Sequence, residues 1–351
     1  MKRAMDEDPA IADGPDPDGP DPDGLGPDRL APDGLAPDRL APDRLGLGWL
    51  DPDGLAPDWL APDLRRLRAA NPSPMTGTGT NSYLLGQGDV VLIDPGPDLP
   101  VHHRALLSCL QPGERIVAIL VTHAHADHCG GAAAMSRATA APVLGFGAAG
   151  SGRSATMQRL AAEGLTGGGE GLDHQYRPDR CLRDGEVLHL NNVTLEVLHS
   201  PGHTGCHLCF ASGDRLFCGD HVMGWSTSLI SPPEGDMAQY RGSLLRLAAR
   251  NWAVLLPGHG APIGDPAARL AFLIRHRADR EAEILAALAQ GPLTADALTR
   301  RIYPGIAATL FQAARRNVLA HLIEVTDRGL ATARSSPLAE AHFHRIRGLR
   351  P

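Results

Sequence analysis

The chain has 351 residues, 40 of them acidic against 33 Lys and Arg, for a formal net charge of −7. That length accommodates two modest domains, and the mild acidity excludes a chain that is basic throughout and coats nucleic acid along its length. No run of about 18 apolar residues occurs, so no membrane-spanning helix is expected.

The first 64 residues carry 16 acidic and 5 basic side chains. Leu recurs at 25, 30, 35, 40, 45, 50, 55 and 60, with Pro at 27, 32, 37, 42, 52, 57 and 62. A period of five matches neither helix nor strand, and each Pro removes a backbone donor and restricts the residue before it. Residues 1–68 are therefore expected to form a disordered tail. Trp49, Leu50, Trp59 and Leu60 offer a docking motif within it, beside the plainer reading of a degenerate repeat expansion.

From residue 65 to 265 the charges nearly balance, 17 acidic against 15 basic, and strand-like apolar runs appear. Ile116 to Val121 reads as a buried strand and leads into T-H-A-H-A-D-H at 122–128. That loop gathers His123, His125, Asp127 and His128, and imidazole and carboxylate suit Zn²⁺ and its first-row neighbours. Four such residues exceed what one tetrahedral ion takes from a single loop, which points to two ions. Three later segments repeat the design of strand, Gly or Pro turn, then a metal-type side chain. They are P-G-H-T with His203, C-G-D-H with Asp220 and P-G-H-G with His259. His207, four residues after His203, reads equally as a proton donor to the leaving group and as a structural residue at a strand end. His221, directly after Asp220, reads as structural.

The six Cys (109, 129, 181, 206, 209 and 218) are scattered. Met1-Lys2-Arg3 is followed by acidic residues and Pro with no apolar stretch, so the expected setting is cytoplasmic with reduced thiols. Cys206 and Cys209 form a C-x-x-C inside a likely strand, which is weak evidence for redox chemistry.

Residues 266–351 hold 7 acidic and 13 basic side chains, all Arg. Pro266 to Gln290 has helical periodicity and stops at Gly291-Pro292. Thr294 caps Ala295–Tyr303, and Ala307–Thr326 is a third helix ended by Gly329. Two short helices and a hairpin-like end suit a winged helix. The arginines suit phosphate contacts and equally a solvated helical face, an appendage packed on the first domain, or a homodimer contact.

Together these segments resemble the metallo-β-lactamase-fold hydrolase superfamily. The resemblance is carried by 71–86, V-L-I-D-P-G (91–96), T-H-A-H-A-D-H, P-G-H-T, G-D-H-V-M-G-W-S-T (219–227) and P-G-H-G. It implies an α/β fold: a four-layer αββα sandwich over 69–265 with a small winged-helix-like domain over 266–351. By resemblance His123, His125 and His203 make one zinc site, and Asp127, His128 and His259 a second. Asp220 bridges them, and Asp94 orients the ligands. Asp220 stands where the best-known zinc β-lactamases carry Cys, which argues against that class. The opening N-P-S-P-M-T, the segment around Trp225 and P-P-E-G-D-M (232–237) resemble the beta-lactamase-like-protein-2 group, whose mitochondrial member cleaves single-stranded RNA. The expected function is a dinuclear hydrolase with a metal-bridging hydroxide, with Asp127 and His207 as catalytic groups, acting on phosphodiesters of single-stranded RNA. The alternatives are a thioester or lactone hydrolase of the glyoxalase II kind, and a metal-bearing scaffold without turnover. Zn²⁺ is the expected ion, and Mn²⁺ and Fe²⁺ suit the same ligands.

Overall fold

The computed structural model describes residues 56–167, 171–334 and 338–346. Most of the pentad repeat, with Trp49 and Leu50, lies outside them. Its last unit does not behave as tail. Residues 58–68, expected to belong to that tail, form β1 (Asp58–Ala61) and β2 (Leu64–Arg68). The prolines explain why: Pro57 and Pro62 flank β1 rather than interrupt it, positions an edge strand tolerates. Leu64 and Leu67 then point to opposite faces of β2 and enter two different cores. Arg65, wholly buried in β2, is held by Glu114 at 2.6 Å and the Cys109 carbonyl at 2.7 Å. Exposed Trp59 lies under its guanidinium at 5.1 Å.

β1 and β2 open a seven-stranded sheet that continues through β3 (Asn81–Gln87), β4 (Asp89–Ile93), β5 (Arg115–Leu120), β6 (Val143–Gly145) and β7 (Arg180–Cys181) in that order. The first four strands pair antiparallel, and β4 through β7 run parallel. The second sheet has the order β12 (Val254–Pro257), β11 (Arg215–Gly219), β10 (Leu208–Ser212), β9 (Val193–His199), β8 (Val187–Leu190).

Strand alternation decides the layers. In β5, Ala118 and Leu120 face the second sheet while Ile119 faces the opposite way, and a register shift between Ile116 and Ala118 puts Ile116 on that opposite side too. The core between the sheets joins Val91, Ile93, Leu195, Val197, Phe210 and Phe217. Outside the first sheet, α1 (Pro100–Ser108) and α3 (Ala132–Thr139) cover Leu92 and Ile119 with Leu106 and Met135. The short α2 (Ala126–Cys129) precedes α3, and α4 (Ala155–Ala162) follows it. Outside the second sheet, α5 (Met237–Ala248) and the start of α6 (Pro266–Leu288) cover Leu216 and Leu255 with Tyr240, Leu244, Leu270 and Leu273. The result is the expected αββα sandwich.

The expected boundary at 265/266 is not a hinge. α6 starts there, capped by Asp265, whose carboxylate accepts from Ala268 N at 3.0 Å, with Pro266 in the first turn. Its first half belongs to the sandwich. Its second half, through Ile284, Leu285 and Leu288, builds the C-terminal core with α7 (Ala295–Ile302), α8 (Ala308–Asp327) and the hairpin of β13 (Ala331–Arg334) and β14 (His342–Arg345). Thr294 caps α7 as expected. Met157 and Leu160 of α4 enter the same core, so the two parts share apolar burial. Among the described residues no helix is long and apolar enough to cross a membrane. The cysteines are unbridged, and burial pushes the Cys209 thiol up to about 12, which leaves C-x-x-C inert as a thiolate.

Candidate metal centre

All seven expected ligands meet at one edge of the two sheets. The ligand atoms of His123, His125, His203 and Asp220 lie within 4.8 Å of one another, and so do those of Asp127, His128 and His259. The loop after β5 supplies four of them because His125 is extended (φ −76°, ψ 139°) and the chain then winds into α2. The extended residues aim His123 and His125 one way, and the helical turn aims Asp127 and His128 another. The Asp220 loop and the His259 loop follow β11 and β12, which are parallel neighbours and therefore end side by side. Gly258 lets them touch: a Cβ there would sit 2.5 Å from Asp220 Oδ1 and 2.5 Å from His128 Cε1. The His259 loop is also fixed from β3, where the Asn81 amide and the Tyr83 hydroxyl donate to the Pro257 carbonyl at 2.9 and 2.7 Å.

The imidazoles are turned by what their outer nitrogens meet. Nδ1 of His203 donates to the Leu229 carbonyl at 2.7 Å, and Nδ1 of His259 faces the Gly79 carbonyl at 3.2 Å. His128 Nδ1 lies 2.8 Å from Asp94 Oδ2. That oxygen also accepts from Thr122 Oγ1 at 2.8 Å, and Thr122 Oγ1 lies 3.0 Å from His123 Nδ1. Asp94 therefore orients one imidazole of each group, one directly and one through Thr122. Its backbone is left-handed (φ 51°), a conformation Asp tolerates, and its other oxygen accepts from Thr122 N at 2.8 Å. With the outer nitrogens committed as donors, the Nε2 lone pairs of these four rings turn inward.

Crowding inside is what a cation would relieve. His125 Nδ1 lies 2.8 Å from His123 Nε2 and 3.0 Å from His203 Nε2, three buried nitrogens facing one another. Asp220 Oδ1 is buried without a hydrogen-bond donor, 3.4 Å from His128 Nε2. Asp220 Oδ2 lies 3.3 Å from His259 Nε2 and 3.8 Å from His203 Nε2, so this carboxylate faces both groups. Such a donor set fits two divalent cations.

Electrostatics divide the two groups. Burial pushes His125 down to about 3, helped by His203, and it also lowers His123 and His203. Burial opposes protonation of His259 as well, but the Asp220 and Asp127 carboxylates outweigh it and hold His259 up at about 9. His128 is raised for the same reason. Burial works against ionising Asp127 and Asp220 too, and the neighbouring imidazoles overcome it, leaving both carboxylates well below their ordinary range.

Above this cluster lies a cavity of about 680 Å³. His125, Asp127, His203, Asp220 and His259 form its floor, and Met75, Met223, Trp225 and Leu229 line its walls. One side is closed by Gln312, Arg316 and Asn317 of α8, so the C-terminal part borders the site.

His207 is a correction. Of its two readings, proton donor and structural strand-end residue, the first does not fit: it is fully buried and absent from the cavity lining. Its ring packs 5.1 Å from that of His123, and its Nδ1 pairs with Ser200 Oγ at 2.8 Å. It stands directly before β10 and lies inward behind the ligands. His221 is buried against Tyr240, as its structural reading expects. Thr80, which donates to Asp127 Oδ2 at 3.0 Å, was not legible as a site residue although it stands in the T-G-T-N run. Thr122 is the first residue of the motif yet receives no role from the sequence, and Asn317 carries no local signal at all.

The basic C-terminal count also reads differently in three dimensions. Arg269 donates to the Met223 and Ser226 carbonyls, and Arg277 to Ser228 O at 2.6 Å. Arg316 bonds Ser231 Oγ and Thr166 O, Arg328 pairs with Glu281, and Arg345 reaches Leu285 O. Arg315 pairs with Asp296 and bonds Ala339 O. Six of the thirteen arginines thus hold internal structure.

Comparison with known proteins agrees with this architecture. A family model described as the metallo-beta-lactamase superfamily matches residues 75–259, and one described as a beta-lactamase associated winged helix domain matches 294–337. The chain is 31% identical over 290 residues to a beta-lactamase-like protein 2 homolog of Drosophila melanogaster, covering 80% of this chain and 92% of that one. It is 30% identical over 230 residues to an atrochrysone carboxyl ACP thioesterase of Aspergillus chevalieri, covering 64% of this chain and 65% of that one. It likewise spans 64% of the length of a lactamase-like protein of Emericella nidulans. A beta-lactamase domain protein from Burkholderia ambifaria shares the fold, with a TM-score of 0.69 at 23% identity over 84% of this chain and 94% of that one.

Proposed function

This chain belongs to the metallo-beta-lactamase superfamily, and from that premise we propose that it is a metal-dependent hydrolase of acyl thioesters with apolar acyl groups. His123, His125 and His203 would hold one divalent ion and Asp127, His128 and His259 a second, with Asp220 shared. Bound there, the ions supply an acidified water as nucleophile and polarise the scissile carbonyl. Asp127, at the cavity floor with its side chain 26% exposed, stays ionised and is placed to accept the proton of the attacking water.

The observation that carries the thioester reading is the cavity lining. Among the described residues it offers no Lys, Tyr or Cys, and its only His residues are candidate ligands. A leaving alkoxide, as basic as the conjugate base of water at pKa about 15.7, needs a positioned acid, and here that could only be Asp127 returning the proton it has taken. A leaving thiolate, whose thiol has a pKa of about 8.5, needs none. The apolar walls suit an acyl chain, and the volume lies in the range of small-molecule sites, about 300–1,000 Å³. A relative whose name is that of an acyl-carrier thioesterase supports the same chemistry. The RNA phosphodiester reading rests mainly on resemblance to the beta-lactamase-like-protein-2 group, which the Drosophila relative keeps, and secondarily on the basic C-terminal part, where six of the thirteen arginines hold internal structure instead.

The test is parallel turnover of the zinc-loaded protein on an acyl thioester, the oxygen ester of the same acid, a lactone and a single-stranded RNA oligomer. Turnover of the thioester well above the others is expected. Preference for RNA or for the oxygen ester would overturn the reading.

A further inference from the structure

One peptide group links the C-terminal domain to the metal centre. The carbonyl of Leu229 accepts from His203 Nδ1 at 2.7 Å. The N–H of the same peptide, that of Ile230, donates to Asn317 Oδ1 of α8 at 2.9 Å. Donors and acceptors in such a chain polarise one another, so each bond strengthens the next. Both ends are buried: Asn317 is 3% exposed and His203 7%. An N–H can only donate, which fixes the Asn317 amide with its oxygen toward Ile230.

The neighbouring chain is fastened from the same side. Arg316 Nε donates to Ser231 Oγ at 2.8 Å, and Arg277 donates to Ser228 O at 2.6 Å. Ser228 Oγ in turn donates to the backbone carbonyl of Asp220 at 2.6 Å. The loop from 220 to 231, which carries one candidate ligand and seats another, is thus held by α6 and α8.

We infer that Asn317 is a positioning residue for the group made by His123, His125, His203 and Asp220. It fixes the Leu229–Ile230 peptide, which holds His203 with Nδ1 protonated and Nε2 turned inward. Through this peptide Asn317 acts on His203 and makes no bond to the peptides that seat Asp127, His128 or His259. This rests on the reading of the seven side chains as metal ligands.

The experiment compares full-length wild type, Asn317→Leu, Asn317→Ser, Asn317→Asp and His125→Ala by Co²⁺ titration, following the absorption spectrum and competition with a chelator. Outer partners of ligating histidines typically set about 10–100-fold of metal affinity. Asn317→Leu is expected to weaken one of two ions by about 10-fold or more and leave the other unchanged. Asn317→Ser, too short to reach Ile230 N, does the same should the Leu variant fold poorly. Asn317→Asp keeps the acceptor and restores wild-type affinity. Loss of affinity at both ions in parallel with a falling unfolding midpoint would mean a merely structural role and overturn the inference, as would unchanged binding in the Leu and Ser variants. His125→Ala must lose the same ion. If it keeps both, the ligand assignment itself fails, and the inference with it.

Discussion

Asp94→Asn isolates the orienting carboxylate with little other change. Asn tolerates the left-handed backbone at φ 51°, so the turn after β4 stays in place. Its amide oxygen can still accept from Thr122 N, which lies 2.8 Å from Asp94 Oδ1. The other position then carries NH₂ instead of Oδ2, facing Thr122 Oγ1 and His128 Nδ1, each at 2.8 Å. Thr122 can rotate its hydroxyl and accept. His128 cannot remain a donor, so it takes the other tautomer and turns an Nε2–H toward Asp127 and Asp220. A protonated Nε2 has no lone pair for a metal. The expected loss is about 10–100-fold in affinity for the ion at Asp127, His128 and His259, or about 1.4–2.7 kcal/mol. Isothermal titration with Zn²⁺ against a competing chelator reads it, with thermal unfolding of the metal-free protein as the control. Two ions bound at wild-type affinity in a folded Asp94→Asn protein would refute the role given to this carboxylate. Asn317 predicts loss of the opposite ion, so the two variants together test the division of the site.

Proton competition should differ between the halves. His259 holds its proton up to about 9, so ions at its half must displace it and bind more tightly as pH rises toward 9. His125 is deprotonated above about 3, so its half should show little pH dependence between pH 6 and 9, and equal slopes in titrations across that range would contradict the assignment. Burial depresses His102 to about 4, aided by His103. The unfolded chain takes that proton near 6.5, so the fold loses stability as pH falls from about 6.5 to 4, by about 3 kcal/mol at 1.4 kcal/mol per unit. Chemical denaturation of wild type and His102→Gln at pH 7 and 4.5 checks it, with a smaller acid loss expected in the variant. Deleting residues 1–55 should leave metal content unchanged, whereas deleting 266–351 should yield a protein that is insoluble or metal-poor, measured by metal analysis of the soluble fraction. Replacing His207 with Asn should slow thioesters of good and poor leaving groups by the same factor, because the residue does not reach the cavity. A selective loss on the poor leaving group would restore it as a proton donor.

The ligand set was legible in the sequence because all seven ligands follow one of four strands within one to eight residues, and strand followed by turn is a local pattern. His123, His203, Asp220 and His259 all announce themselves this way. The sandwich was legible for the same reason, since its strands are apolar runs bounded by Gly and Pro. What stayed hidden depends on long-range pairing. β1 reads as one more repeat unit until β2 and β3 are there to accept it. The arginines of the C-terminal part read as surface charge until the carbonyls of the 220–231 loop and Glu281 stand beside them. His207 has ligand-like spacing, and only its packing against His123 and Ser200 shows that it faces the interior. Asn317 cannot be found from pattern, because its partner is a backbone amide in another domain.

Metal analysis of wild type and Asp220→Ala, combined with thioester turnover, bears most directly on the account. Asp220 is the one side chain that faces both groups, at 3.4 Å from His128 and 3.3 Å from His259 on one side and 3.8 Å from His203 on the other. Two divalent ions per wild-type chain are expected, and in Asp220→Ala both metal loss and abolished hydrolysis. A variant that keeps two ions and hydrolyses the thioester at the wild-type rate would contradict it.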